Sequence, residues 1–330
     1  MITVRTPFRM SFFGGGTDFP AFYRENGGTV VSATLDKYCY VTLRHLPPFF
    51  DYRSEFVYSK TERVSKNEEI EHPLIREILR WQDVQGVRMT YDADLPARAG
   101  LGSSSAFAVG LLHAIHAARG ESASPRQLAD EAVFAERTLC RECGGVQDQI
   151  ASAFGGFNRV DFEGDGYTVT PLLIGEEKKA ALEGRLMLFF TGTSRLSFEL
   201  QAAHGASLFK NKQSLCLMRD LAREASDLFL KENDSLWLGE YLHRTWQEKR
   251  SLTSQISTPD IDRLYEKARS AGAVGGKLLG AGGGGFLLFY VPPSRQEEVK
   301  EALSPLLYVP VSFSDRGSEV LEGTDTFLKK

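Results

Sequence analysis

Apolar residues recur at three- and four-residue spacing in several stretches of this 330-residue chain. Phe107, Leu111, Leu112 and Ile115 share one face of a 3.6-residue period, which predicts a helix stopped by Gly120. Residues 73–81, PLIREILRW, read as a second helix. Ser124-Pro125-Arg126-Gln127 has the form of a capping box, serine at the N-cap and proline after it, and opens a helix through Leu139. Gly144-Gly145 breaks the chain, and residues 146–154 form a short helix closed by Gly155-Gly156. Helical segments are expected over 197–253 and again over 260–271.

Strand patterns fill much of the rest. Residues 1–18 read as a strand opening into a glycine turn. TVVSATLDKYCYVTL, 29–43, is β-branched and aromatic and predicts strands or a hairpin. Residues 86–91 are a short strand, and 156–174 a hairpin turning at Gly164-Asp165-Gly166. RLMLFFTGT at 185–193 is another strand, and 275–291 reads as strand, glycine loop, strand. Residues 47–70, with Pro47-Pro48 and many charges, read as a surface excursion. The polar stretch 175–184 marks a domain boundary, giving units 1–178 and 179–330.

Composition narrows the class. With 42% hydrophobic and 25% charged residues the chain reads as a soluble globular protein. A net charge of −4 and a pI near 6.0 give no general pull toward nucleic acid or anionic membranes, so an anionic ligand needs a local site. No apolar leader is visible in MITVRTPFRM, and FLLFYV at 286–291 is far too short to span a bilayer. Cys140 and Cys143 have metal-like spacing without a second pair, so Cys39, Cys140, Cys143 and Cys216 read as thiols of a reducing cytoplasm. His113 and His116, three apart, read as helix-packing groups.

The chemistry concentrates in glycine-rich stretches. LPARAGLGSSSAF, 95–107, runs from glycine turn into helix, so unpaired N–H groups and the helix dipole converge where a phosphate could bind. The alternative is a serine N-cap beside flexible glycines. The lysine of a Walker A loop is missing, and Ser105 stands where a dinucleotide loop needs glycine. Gly280, Gly282 and Gly285 match G-x-G-x-x-G, but a strand follows them where a helix should. Gly14-Gly15-Gly16-Thr17-Asp18 is the third such stretch.

Taken in order, TPFRMSFFGGGTDF, LPARAGLGSSSA and GGKLLGAGGGGF resemble the three motifs of the GHMP kinases, the superfamily of galactokinase, homoserine kinase and mevalonate kinase. GGVQDQIASAFGG, FTGTSR and WQEKRSL are similar to the sugar kinases of that superfamily that act on D-glycero-D-manno-heptose 7-phosphate. A fucokinase domain shares the Gln-Asp-Gln element.

The resemblance implies an α+β chain of two domains. The N-terminal one would be like domain 2 of ribosomal protein S5, the C-terminal one ferredoxin-like, with the active site between them. It implies ATP held by Gly100, Leu101, Gly102, Ser103, Ser104 and Ser105, and Mg²⁺ held by Ser104 and Glu136. Asp148 would orient or deprotonate the acceptor hydroxyl, with Arg9 against it. Gly15, Gly16, Thr17, Asp18, Gly282 and Gly283 would bind the sugar. A phosphate already on that sugar needs cations, for which Arg195, Lys249, Arg250 and Lys277 are candidates. Galactokinases carry Gly-Glu-His before Thr-Asp, and Gly14-Gly15-Gly16 stands in its place, which argues for a different sugar. A sugar phosphate and ATP are the implied partners, and a homodimer is left open.

Overall fold

The computed structural model describes residues 1–192, 211–231, 236–322 and 326–328. Its described elements are strands β1 Ile2–Phe13, β2 Gly28–His45, β3 Ser54–Val57, β4 Thr61–Val64, β5 Val87–Ala93, β6 Phe157–Glu163, β7 Gly166–Pro171, β8 Leu186–Phe190, β9 Gly275–Leu278, β10 Phe286–Tyr290, β11 Leu307–Val309, β12 Phe313–Ser314 and β13 Glu319–Glu322. The helices are α1 Pro20–Asn26, α2 Pro73–Trp81, α3 Ser103–Ala118, α4 Pro125–Val133, α5 Gln147–Phe154, α6 Glu176–Glu183, α7 Lys212–Lys231, α8 Leu236–Ser251, α9 Pro259–Ser270 and α10 Gln296–Ala302.

Two sheets divide the strands. The first runs β13-β1-β2-β5-β3-β4, with β12 and the β6–β7 hairpin also on β2, and the second runs β11-β8-β10-β9. Antiparallel pairing dominates, β3 with β5 being parallel. The stretch that read as strands or a hairpin is one 18-residue strand, β2. It pairs β1 along nearly its whole length, β6 over Gly28–Ala33 and β5 over Cys39–His45, so a single long strand frames the first unit.

Packing follows the side-chain period. One core lies between the first sheet and α2 to α5, built from Val4, Val41 and Met89 against Ile75, Leu111 and Ile150. A second core joins the sheets: Phe8, Met10 and Phe12 of β1 meet Leu188 of β8, Leu288 of β10 and Phe229 of α7. Alternation explains the apolar run of β10. Phe286, Leu288 and Tyr290 enter that joining core, while Leu287 and Phe289 enter a third core with Trp246, Ile261 and Val299.

Three expectations change. Residues 47–70 are not a bare excursion: they hold β3 and β4, and Phe56 is fully buried beneath them. The polar stretch 175–184 contains the helix α6, anchored by buried Leu182. Ser124 caps α4 by accepting the Gln127 backbone N–H, but the Gln127 side chain reaches forward to Glu131, so the box is half formed. The last described strands, β12 and β13, return to pair with β2 and β1 of the first sheet.

Candidate active site

The glycine-rich loop 95–102 ends in Gly102, which is left-handed and serves as the N-cap of α3. No side chain caps this helix, which sets aside the serine-cap reading and leaves its first N–H groups facing the cleft. The Ser103 hydroxyl accepts instead from the Arg98 N–H, at 3.1 Å.

Close approach of backbone to backbone fixes the loop. A Cβ at Gly100 would sit 2.4 Å from the Leu279 carbonyl oxygen, and one at Gly280 would sit 2.4 Å from the Gly100 Cα. Both residues have positive φ, so glycine is needed twice over. The second and third glycine-rich motifs, before α3 and between β9 and β10, therefore meet face to face, and the Phe286 N–H bonds the Ala99 carbonyl at 3.2 Å.

Arg9, on β1 and only 4% exposed, stands at the centre. Its Nε donates to Asp148 Oδ1 at 2.8 Å and its Nη2 to Oδ2 at 2.7 Å. Nη1 donates to the Gly100 carbonyl at 2.7 Å. Asp148 lies in the first turn of α5. Asp18 is buried beside it, accepting the Gly16 N–H at 2.9 Å and the Gln147 N–H at 3.2 Å. Burial foremost, then the charge of Asp148, pushes the Asp18 carboxyl above the usual range.

Glu136 sits on a wide π-helical turn, Phe134–Leu139, that continues α4. Such turns often mark functional positions, because they re-aim a side chain within an otherwise regular helix. Its buried carboxylate accepts from Ser104 Oγ at 2.9 Å, from Ser105 Oγ at 2.8 Å and from the Gln149 amide. Every one of these donors is neutral. A divalent cation fits this arrangement, since it would take a hydroxyl and a carboxylate oxygen and balance the buried charge. Among the described residues no three His, Cys, Asp or Glu cluster as a metal cage. One hydroxyl and one carboxylate are donors that suit Mg²⁺, which keeps waters and phosphate oxygens in its shell.

The cleft around these groups is lined by Arg9, Ser11, Gly15, Gly16, Asp18, Gly100, Gly102, Ser103, Ser104, Ser105, Glu136, Gln147, Asp148 and Lys249, among others. Lys249 donates to the Gly280 carbonyl at 2.5 Å; burial foremost, then Arg9, pulls its ammonium down to about 8. Lys277 also lines the cleft, donating to the Ser11 and Phe12 carbonyls at 2.9 Å each.

Some sequence candidates lie elsewhere. Thr17 is buried and bonds Gly14 and Thr29, and buried Leu101 gives its carbonyl to the Arg9 N–H, so both shape the turns from behind. Gly282 and Gly283 pack on Ile256, whose carbonyl accepts the Gly283 N–H; Gly280 and Ala281 line the cleft instead. Arg250 pairs with Asp262. Arg195 lies outside the described residues. Ser11, Gln147, Arg98, Arg137 and Glu142 line the cleft without having been singled out. Strand alternation from Arg9 would have found Ser11, two residues on along β1. The histidines do not face the cleft: His113 Nδ1 meets Ser318 Oγ at 2.9 Å, and His116 lies between Glu121 and Glu131. The four cysteines are free thiols, and no described helix is long and apolar enough to cross a membrane.

Known proteins match both halves of the chain. The description "GHMP kinases N terminal domain" matches residues 70–156, and "GHMP kinases C terminal" matches 225–308. D-glycero-alpha-D-manno-heptose 7-phosphate kinase of Campylobacter jejuni is 27% identical over 321 residues, covering 92% of this chain and 93% of that protein. Mevalonate kinase of Thermococcus onnurineus is 28% identical over 248 residues, 72% and 70% of the two chains. A crystal structure described as a D-glycero-D-manno-heptose 1-phosphate kinase from Bacteroides thetaiotaomicron superposes with a TM-score of 0.79 at 25% identity, covering 98% and 99%. With both halves matched and the uncapped helix, the arginine–aspartate pair and the serine–glutamate pair around one cleft, the chain belongs to the GHMP kinases, which use ATP as phosphate donor.

Proposed function

We propose that this kinase transfers the γ-phosphoryl group of ATP to the anomeric C1 hydroxyl of D-glycero-D-manno-heptose 7-phosphate, giving the 1,7-bisphosphate. The similarity to the Campylobacter jejuni enzyme along nearly the whole chain is the observation that carries the substrate. The half-buried cation Lys249, beside Asp18 and Asp148, is the group suited to the phosphate the sugar already bears.

In this reading the N–H groups at the start of α3 hold the triphosphate, and Asp148 takes the hydrogen bond, then the proton, of the attacking hydroxyl. Arg9 holds that carboxylate aligned through two hydrogen bonds, and shares its field with the phosphoryl group in transfer. Asp18 holds sugar hydroxyls while Gly15 and Gly16 let the ring approach the backbone. Mg²⁺ held by Ser104 and Glu136 would offset the charge on the phosphate oxygens. Positioning and electrostatics supply most of the rate.

The test is ADP release with heptose 7-phosphate, heptose 1-phosphate, L-fucose and galactose, with ³¹P NMR of the product. A kcat/KM highest for heptose 7-phosphate and a new anomeric phosphate are expected. A preference for any other sugar of the four, or a phosphate elsewhere on the ring, refutes the assignment.

A further inference from the structure

We propose that Gln147 is the residue that selects the acceptor, its side-chain NH₂ donating to a sugar oxygen next to the one phosphorylated, with Ser11 as its positioning residue. The proposal rests on the sugar-kinase reading above and adds a specificity determinant to it. Gln147 opens α5, immediately before Asp148, and is only 8% exposed, yet it lines the cleft. Ser11 Oγ donates to its Oε1 at 2.7 Å. That bond fixes which way the amide faces: the oxygen is engaged by β1, so the NH₂ is turned away from it. Among the described residues no acceptor meets Nε2, and the NH₂ opens to the cleft, where its two donors can meet a ligand oxygen.

What surrounds this amide makes the missing partner a hydroxyl. The Gln147 backbone N–H already donates to Asp18 Oδ2, so amide and carboxyl are held together by one residue, with Asp148 the next in the chain. A hydroxyl can accept from the NH₂ and donate to a carboxylate at the same time. A methylene can do neither, and would leave the donors unpaired.

Gly15 points the same way. Its φ is not positive, so its backbone would admit any residue. A Cβ there would rest 3.5 Å from Gln147 Nε2 and 3.6 Å from Ser11 Oγ, ordinary contact without a clash. The missing side chain therefore serves neither strain nor packing. It leaves the amide and the serine uncovered.

The test compares wild type, Gln147→Met, Ser11→Ala and Gly15→Ala on the sugar of the above panel that wild type uses best, and on its monodeoxy analogues. Gln147→Met is expected to raise KM for the sugar by about 10- to 100-fold, with KM for ATP unchanged. Ser11→Ala should raise it less in the wild-type background and not at all in the Gln147→Met background, which a merely structural role would not give. One deoxy analogue should be penalised in wild type and not in Gln147→Met. Equal penalties in both enzymes at every ring position, or an unchanged sugar KM in Gln147→Met, overturns the proposal. Gly15→Ala, which the geometry lets fold, should raise sugar KM alone; an unaltered KM counts against it. The substrate assignment fails separately, when wild type prefers a sugar other than heptose 7-phosphate.

Discussion

Arg9 and Asp148 face each other through two parallel hydrogen bonds, 2.8 and 2.7 Å long, across 139 residues of sequence. The same guanidinium reaches the Gly100 carbonyl with its remaining nitrogen, so one side chain on β1 ties the candidate base to the phosphate loop. The fork geometry is available to arginine and not to lysine.

Replacing Asp148 by Asn removes the negative charge while keeping the shape. Turnover is expected to fall by roughly 10²- to 10⁴-fold with ATP affinity retained, because the loop that binds nucleotide is built from other residues. Steady-state kcat and calorimetric ATP binding check this. A near-normal kcat would refute the assigned role.

Glu136→Gln bears on the cation. The carboxylate collects Ser104, Ser105 and Gln149 as donors, and an amide in its place would turn its own NH₂ on one of them. The Mg²⁺ concentration giving half-maximal ATP binding should rise by about 10- to 100-fold. Titrating Mg²⁺ against ATP binding by calorimetry reads this without turnover, and an unshifted midpoint removes Glu136 from the metal site.

Much of this site was legible because the GHMP motifs are local: Gly100 to Ser105 and Asp148 each sit in a recognisable stretch. The helices 73–81 and 103–118 were also legible, since helical periodicity is written within one turn or two. What escaped depends on distance. The strands β3 and β4 are four residues each, too short for a period, and Phe56 is buried by elements far along the chain. Ser11 and Gln147 are ordinary residues until β1 and α5 are laid side by side. The return of β12 and β13 to the first sheet pairs Glu319 with Arg5, and no local signal announces a pairing across 314 residues.

Lys249 sets an alkaline limb. Its pKa is lowered to about 8, chiefly by burial, so the free enzyme carries the ammonium below that pH and loses it above. If Lys249 holds the sugar's phosphate, kcat/KM for the sugar phosphate should fall as pH rises through about 8. Lys249→Arg should move that fall beyond the measurable range, because guanidinium stays charged. A profile in which the variant keeps the same limb separates Lys249 from substrate binding.

His113 and His116 are one turn apart on α3 and are pushed in opposite directions. His113 is half-buried against Ser318, and desolvation lowers its pKa to about 4. His116 is raised, by its hydrogen bond to Glu131 foremost, with Glu121 on its other nitrogen. For His113 the unfolded chain binds a proton near pH 6.5 and the folded one does not until about 4, so stability is lost as pH falls across that interval. For His116 the folded chain holds its proton longer, so its contribution is whole below about pH 6.5 and is lost as pH rises through the folded pKa. The two act in adjoining windows. Thermal unfolding from pH 4 to 9 should show His113→Gln flattening the acid side and His116→Gln flattening the neutral-to-alkaline side. His116→Gln should also lower Tm most below pH 6.5, where the clamped imidazolium between two carboxylates is fully formed. Equal losses for His116→Gln at every pH would mean that the residue packs without carrying its charge.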